Sequence, residues 1–501
     1  MLRRGCFFAV LLGIASLACA KGAQLSSHSL PIDYQLSYDA VKTQGQSRRM
    51  GLVGFKVLPQ WTKYFSLGVA AYAPITGETG GFYAWGLAAN LKTPKWHRAY
   101  LSAGGFAGGG GGHSSGFGSG SILNGDVALM YDFRYFSLGL HYSYFYFPSV
   151  HKQSKQLGLT LSLPYTLLYE NPRLMGQSYQ NHFLSTSKNY MALVGQAYVQ
   201  KKGTKNTAGE TQDGTIKLVG LDVGHYFTGH WFGHLEFAGA FSGIPNGYMD
   251  VLAGPGYSYY LSPMISLNAA LDMGTGGGGS VDTGGGFLWG PELGLTAHFS
   301  PHWGAGLSAG YLDAPGGRFS AWTLSGELMY WFDSAVLTQE VNNEVKAYET
   351  AWRVRAGNET VFDAKRENDE HNDTLQLVNI SIDRMITPHI YLTGQGASAY
   401  SGYHIGGLQI GMLGVGVQTS SLRALQLYGE LLAGAAGGGG LDLGKGGVMQ
   451  PKVGLSYYFT PYIGLQTDVG ELYGLDSHFH STTVGVNMVV SFGQLEKAAD
   501  V

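Results

Sequence analysis

The sequence predicts an all-β chain: an antiparallel up-and-down barrel of membrane-crossing strands, in three internal repeats of about eight strands each. Three observations carry this prediction. First, 78 glycines, 32 tyrosines and 24 phenylalanines accompany only 13% charged residues, about half the share usual in soluble proteins. Such a chain must hide much of its surface from water. Second, beyond the first twenty residues no apolar run approaches the length of a membrane helix. Third, apolar and polar residues alternate with period two in segments of about ten residues, long enough to cross a bilayer when tilted.

Taken in order, residues 1–20, "MLRRGCFFAVLLGIASLACA", pair two arginines with a short apolar core from Phe7 to Leu17 and end in Ala18-Cys19-Ala20. This is the pattern of a secretory signal peptide. A competing reading makes Cys19 a lipidated residue, but Ser16 three places before it matches poorly. The only two cysteines, Cys6 and Cys19, fall inside this segment, so the exported chain has no disulfide or thiol chemistry.

The alternation is clearest in the middle of the chain. Val219, Leu221 and Val223 share one face while Gly220, Asp222 and Gly224 share the other. Ile265, Leu267, Ala269, Leu271 and Met273 oppose Ser266, Asn268 and Asp272. Leu293, Leu295, Ala297 and Phe299 oppose Glu292, Gly294, Thr296 and His298. Eight strands follow from this reading: 190–199, 216–227, 232–242, 248–261, 265–274, 291–299, 304–312 and 319–332. "TGHW", "LSPM" and "SPHW" are tight turns, whereas the alternate connections are long, as in barrels with short inner turns and long outer loops.

The unit recurs. "GLTAHFSPHWGAGLSAGYL" at 294 returns as "GLSYYFTPYIGLQTDVGEL" at 454, Phe299 and Pro301 matching Phe459 and Pro461. The glycine run starting at Gly276 returns at Gly437, and a fainter copy, "FAGGGGGHSSGFGSG", precedes Phe133. The predicted organisation is a signal peptide at 1–20 and barrel repeats at 21–175, 176–340 and 341–501, the last with a short C-terminal tail.

The hairpin "GLSYYFTPYIGLQTDVG" and the late strand "TTVGVNMVVSF", ending in Phe492, resemble the opacity and OmpA-like barrels of Gram-negative outer membranes. The resemblance implies a chain surrounded by outer-membrane lipid and inserted by the barrel-assembly machinery through an aromatic-ended final strand. It implies no catalytic residues. The chain departs from that pattern in carrying the unit three times and in continuing past Phe492 with "GQLEKAADV".

On the polar phase of the middle repeat lie Asp222, Glu236, Asp250, Asp272, Glu292 and Glu327, with only His234 and His298 as basic candidates. Unpaired carboxylates inside a filled eight-stranded barrel would be costly, which favours one barrel of about 24 strands with a watery lumen over three eight-stranded barrels in tandem. The third repeat is more balanced, with Arg353, Arg355 and Lys452 set against Asp383, Glu430 and Asp468, and a shared lumen would let repeats pair. The acidic set and His298 are then expected to line a pore, favouring cations. The recurring glycine runs, Gly276, Gly277, Gly278, Gly279 and Gly437, Gly438, Gly439, Gly440, are expected to fold across its mouth.

The functional expectation is an outer-membrane pore or export channel for hydrophilic solutes or a secreted polymer, fed by a periplasmic secretion partner. The alternative is a structural or adhesin-like protein that binds partners through its outer loops. A formal charge of -3 on 501 residues provides no field for nucleic acid. "GGLDLGKG" has Gly446 where a phosphate-binding loop needs Ser or Thr, and His478 and His480 have no third metal ligand in view. No enzyme, cofactor or metal is expected.

Overall fold

The computed structural model describes residues 28–42, 47–112, 118–182, 184–243, 247–337, 344–367, 373–420 and 424–498. The expected signal peptide lies outside them. The described residues form 25 strands joined by antiparallel ladders, with two single-turn 3-10 segments.

The first eight strands are β1 (His28–Val41), β2 (Met50–Pro59), β3 (Phe65–Thr76), β4 (Tyr83–Lys92), β5 (Ala99–Gly111), β6 (Ser121–Asp132), β7 (Ser137–Phe147) and β8 (Lys152–Tyr169). Each pairs with its neighbour, and β1 pairs back onto β8 from His28↔Tyr169 to Asp39↔Gly158, closing a barrel. A short strand, β9 (Ser178–Asn181), follows. Then come β10 (Leu184–Gln200), β11 (Thr215–Tyr226), β12 (Trp231–Gly243), β13 (Met249–Ser262), β14 (Ile265–Gly277), β15 (Phe287–His298), β16 (Trp303–Asp313) and β17 (Ser320–Leu337), with β10 paired to β17 over seventeen residues. The last set is β18 (Val345–Ala364), β19 (Asp373–Met385), β20 (Ile390–Ser401), β21 (Gln409–Gln418), β22 (Leu425–Gly437), β23 (Gly447–Tyr458), β24 (Ile463–Gly474) and β25 (His480–Lys497), with β18 paired to β25 over fifteen.

These closures overturn the favoured single barrel of about 24 strands. In each unit the first strand finds its partner in the eighth, so no edge remains to carry a shared wall. The tandem arrangement of three eight-stranded barrels is the one formed, and each interior is narrow enough for side chains to fill.

Alternation sorts residues as the polar and apolar phases require. Leu157, Leu293 and Leu307 are about 70% exposed on outward faces (73%, 68% and 74%), while Asp222, Asp272 and Ser266 are buried on inward faces. Aromatic residues crowd the ends with tight turns: Trp61, Tyr64, Trp96, Phe133, Trp231, Phe299, Trp303 and Phe459 are all exposed. An apolar outer wall ending in an aromatic girdle is what a bilayer interface selects.

Below those turns the first and last strands of each unit run on and join the barrels in a collar. Glu170 and Gly493 exchange backbone hydrogen bonds of 3.0 and 2.9 Å between the first and third units, and Ser334 pairs with Glu496 between the second and third. Apolar side chains seal both joints. Ile32, Tyr34 and Leu167 cluster with Phe492, and Leu184 and Ala335 cluster with Ala347 and Leu495. Arg384 lies over the Phe332 ring at 4.4 Å and donates to Glu496 at 2.8 Å, spanning the second and third units.

Candidate functional site

The glycine runs lie at the other end, in the outer loops, and build the seams between barrels. A Cβ on Gly277 would stand 2.4 Å from the backbone nitrogen of Gly81 in the first barrel. One on Gly437 would stand 2.1 Å from Cα of Gly247 in the second, and one on Gly111 would stand 2.4 Å from the nitrogen of Gly407 in the third. In each case the loop after a fifth strand meets the loop after a third strand of the next unit, and the three contacts close a ring. Gly80 N donates to Gly284 O at 2.8 Å, and Gly406 N to Gly118 O at 2.7 Å, so backbone meets backbone directly.

Equivalent first residues of the fourth strands also meet. Tyr83 Oη donates to Met249 O at 3.1 Å and to Thr275 O at 3.0 Å, while Gln409 Nε2 donates to Tyr83 O at 3.2 Å. The leading glycines of the two predicted lids, Gly277 and Gly437, are therefore found against neighbouring barrels, with Gly276, Gly278 and Gly438 in the same packed loops. A Cβ on Gly439 would meet Ile405 at 2.8 Å within the third unit. Gly279 O accepts from Gln212 Nε2 at 3.1 Å and Gly440 O from Glu367 N at 3.1 Å, so the later glycines of both runs meet the loop after the first strand of their own barrel, on the far side of its mouth.

The interiors differ sharply in charge. In the first barrel Lys56 Nζ donates to Asp126 at 2.7 Å, Lys92 pairs with Asp33, and His141 Nε2 lies 2.8 Å from Asp39. In the third, Arg353 and Arg355 share Asp383, Arg355 also reaches Glu430 at 2.8 Å, and Lys452 donates to Glu359 at 2.9 Å. Asp468 instead accepts from Tyr428 Oη at 3.0 Å. The predicted basic and acidic sets of this unit thus meet within one barrel, not across a shared lumen. Glu359 as the partner of Lys452 went unseen in the sequence, although its alternation with Arg353 and Arg355 places it on the same face.

The second barrel contains the acidic set, and among the described residues no lysine or arginine is ion-paired with its members. Asp222, Glu236, Asp272, Glu292 and Glu327 surround a cavity of about 60 Å³, room for a few water molecules and far from the wide lumen expected. His234 lies between Asp222 at 3.3 Å and Asp272 at 2.8 Å. Tyr190 Oη donates to Asp222 at 2.8 Å and Gln196 Nε2 to Glu236 at 2.9 Å. These neutral donors are how a filled barrel holds carboxylates that were expected to need bulk water. Asp250 sits outside the cavity and accepts from Tyr248 Oη at 3.2 Å. His298, also outside it, hydrogen-bonds Ser266 Oγ at 3.0 Å and packs on Trp331 at 4.6 Å.

The other motifs stay apart from this site. The Gly439 to Gly446 loop connects β22 to β23, and His480 lies 3.5 Å from Glu471 at an exposed position. Among the described residues no cluster of three or more His, Cys, Asp or Glu side chains is arranged to hold a metal ion.

No family model matches the chain, and no curated protein matches it. Among solved structures, the siderophore receptor PiuA of Acinetobacter baumannii aligns at 8% identity over 92% of this chain and 81% of its own, with a TM-score of 0.29. The NanC porin aligns at 10% identity over 60% of this chain and 98% of its own, TM-score 0.16. A de novo designed transmembrane β-barrel aligns at 13% identity over 29% and 94%, TM-score 0.19. Overlap this slight leaves the fold to be read from the strand pairings themselves.

Proposed function

We propose that this chain is an outer-membrane protein whose second barrel passes small cations. The observation that carries the reading is the asymmetry of charge: among the described residues the carboxylates around the second cavity face one histidine and no lysine or arginine partner, whereas the first and third interiors are matched by buried ion pairs. A ring of like charge around confined water attracts cations and repels anions. The apolar outer walls and aromatic turn ends support the membrane location. Filled interiors restrict the cargo to small species and leave no room for a secreted polymer.

A second reading, a structural protein acting through its outer loops, is supported by the ring of seams that locks those loops together. Recording in planar bilayers separates the two. The channel reading expects small cation-selective steps, well below those of an open porin, with selectivity weakened in Glu236→Gln/Glu292→Gln. Silent insertion of the folded protein would favour the structural reading.

A further inference from the structure

The outer rim of the first barrel places three cations side by side. β1 pairs with β2 as far as Val41↔Met50, and with β8 as far as Asp39↔Gly158. Continued one step past the first pairing and three past the second, the same registers set Lys42 opposite Arg49 on one side and opposite Lys155 on the other. Neighbouring strands lie about 4.8 Å apart, so the row spans about 10 Å. All three residues are exposed, and with Gln153 and Ser154 they line an open pocket of about 270 Å³.

Like charges opposite one another across strands destabilise a sheet, yet no ion pair is found for any of the three among the described residues. Lys155 rests over the Tyr144 ring at 5.7 Å. Glu78, on the neighbouring loop, accepts from Ser47. Arg48 and Lys152 add to the positive strip. The intervening residues 43–46, Thr-Gln-Gly-Gln, carry no acid.

What lies beneath the row identifies the chemistry. On the same outward face, Leu157 and Leu159 continue down β8 from Lys155, and Tyr38 lies down β1 from Lys42. Leu157 is among the most exposed apolar side chains of the molecule. A ligand that satisfies both surfaces has an anionic head and acyl chains. We propose that Lys42, Arg49 and Lys155 bind the phosphorylated headgroup of a lipid in the leaflet at the long-loop end, its chains lying along Leu157 and Leu159. This rests on the membrane reading above and is independent of conduction.

The test places the whole mature chain in phosphatidylcholine vesicles with or without an acylated, bisphosphorylated disaccharide. Lipid retained per chain is counted by mass spectrometry after exchange into mild detergent. Retention of the phosphorylated lipid is expected, weakened about fivefold by each of Lys42→Gln, Arg49→Gln and Lys155→Gln and abolished in the triple variant, whose heat-modifiable gel migration stays that of the parent. Equal retention by the folded triple variant would overturn the site. Binding of inorganic phosphate as tight as that of the lipid would overturn its identification as a lipid site. A chain that fails to enter vesicles at all would overturn the membrane reading instead.

Discussion

At the scale of single residues, two kinds of position hold the molecule together, and they fail differently. Lys452 is the basic partner of Glu359, both almost wholly buried, with Gln450 donating to the same carboxylate at 2.6 Å. Lys452→Met removes one charge and strands the other, so the third barrel is expected to lose about 3–5 kcal/mol, read as a lower unfolding midpoint in detergent and urea. Restoring balance with Lys452→Met/Glu359→Leu should recover most of that loss. The seam glycines work by absence. Gly437→Leu would drive a side chain into the backbone of Gly247, and overpacking of this kind costs about 1–3 kcal/mol. Protease cleavage in the outer loops should rise while circular dichroism keeps its strand signal. The acidic face of the second barrel was legible in the alternation around Asp222 and Glu292, because period two fixes which side chains share a side. The donors that satisfy it were not, since Tyr190 and Gln196 reach Asp222 and Glu236 from another strand.

At the scale of elements, the collar is where one strand end serves two barrels. Glu170 follows β8 and exchanges backbone hydrogen bonds with Gly493 of β25. Burial pushes its carboxyl up to about 7, and its Oε1 has no hydrogen-bond partner among the described residues. An acid whose value is raised by folding is held most firmly when protonated. The joint between the first and third barrels is therefore expected to be tightest below the ordinary glutamate value of 4.5 and to loosen as pH rises through about 7. Amide hydrogen exchange at Gly493 checks this: protection, after correction for the intrinsic rate, should fall across that window in the parent and fall less in Glu170→Gln, where Glu349 beside Gly493, itself pushed up to about 7 by burial, still titrates. The predicted strands of the middle repeat overlap β10 to β17 throughout, but the sequence pattern stopped short of the extensions at 184–189 and 333–337. There strict alternation is lost: Ser185 and Thr186 are both exposed while Ser334 and Ala335 are both buried.

At the scale of the whole molecule, closure within each unit means that the first barrel has its own complete ladder and its own matched interior. A fragment of residues 28–169 is expected to refold in micelles into a heat-modifiable barrel, and failure to do so would show that the seams are needed for closure. The same independence explains why one wide barrel was the wrong expectation. Carboxylates judged too costly for a filled interior are held there by tyrosine, glutamine and histidine donors around a small cavity. The sequence by itself determined the strand class and the inward and outward faces, because these are written in local periodicity. Only the tertiary structure decided where the sheet closes and what the glycine runs are for. Closure depends on which strand ends meet across some 150 residues, and a run of glycine looks the same in sequence whether it lies slack in solvent or lets two backbones touch.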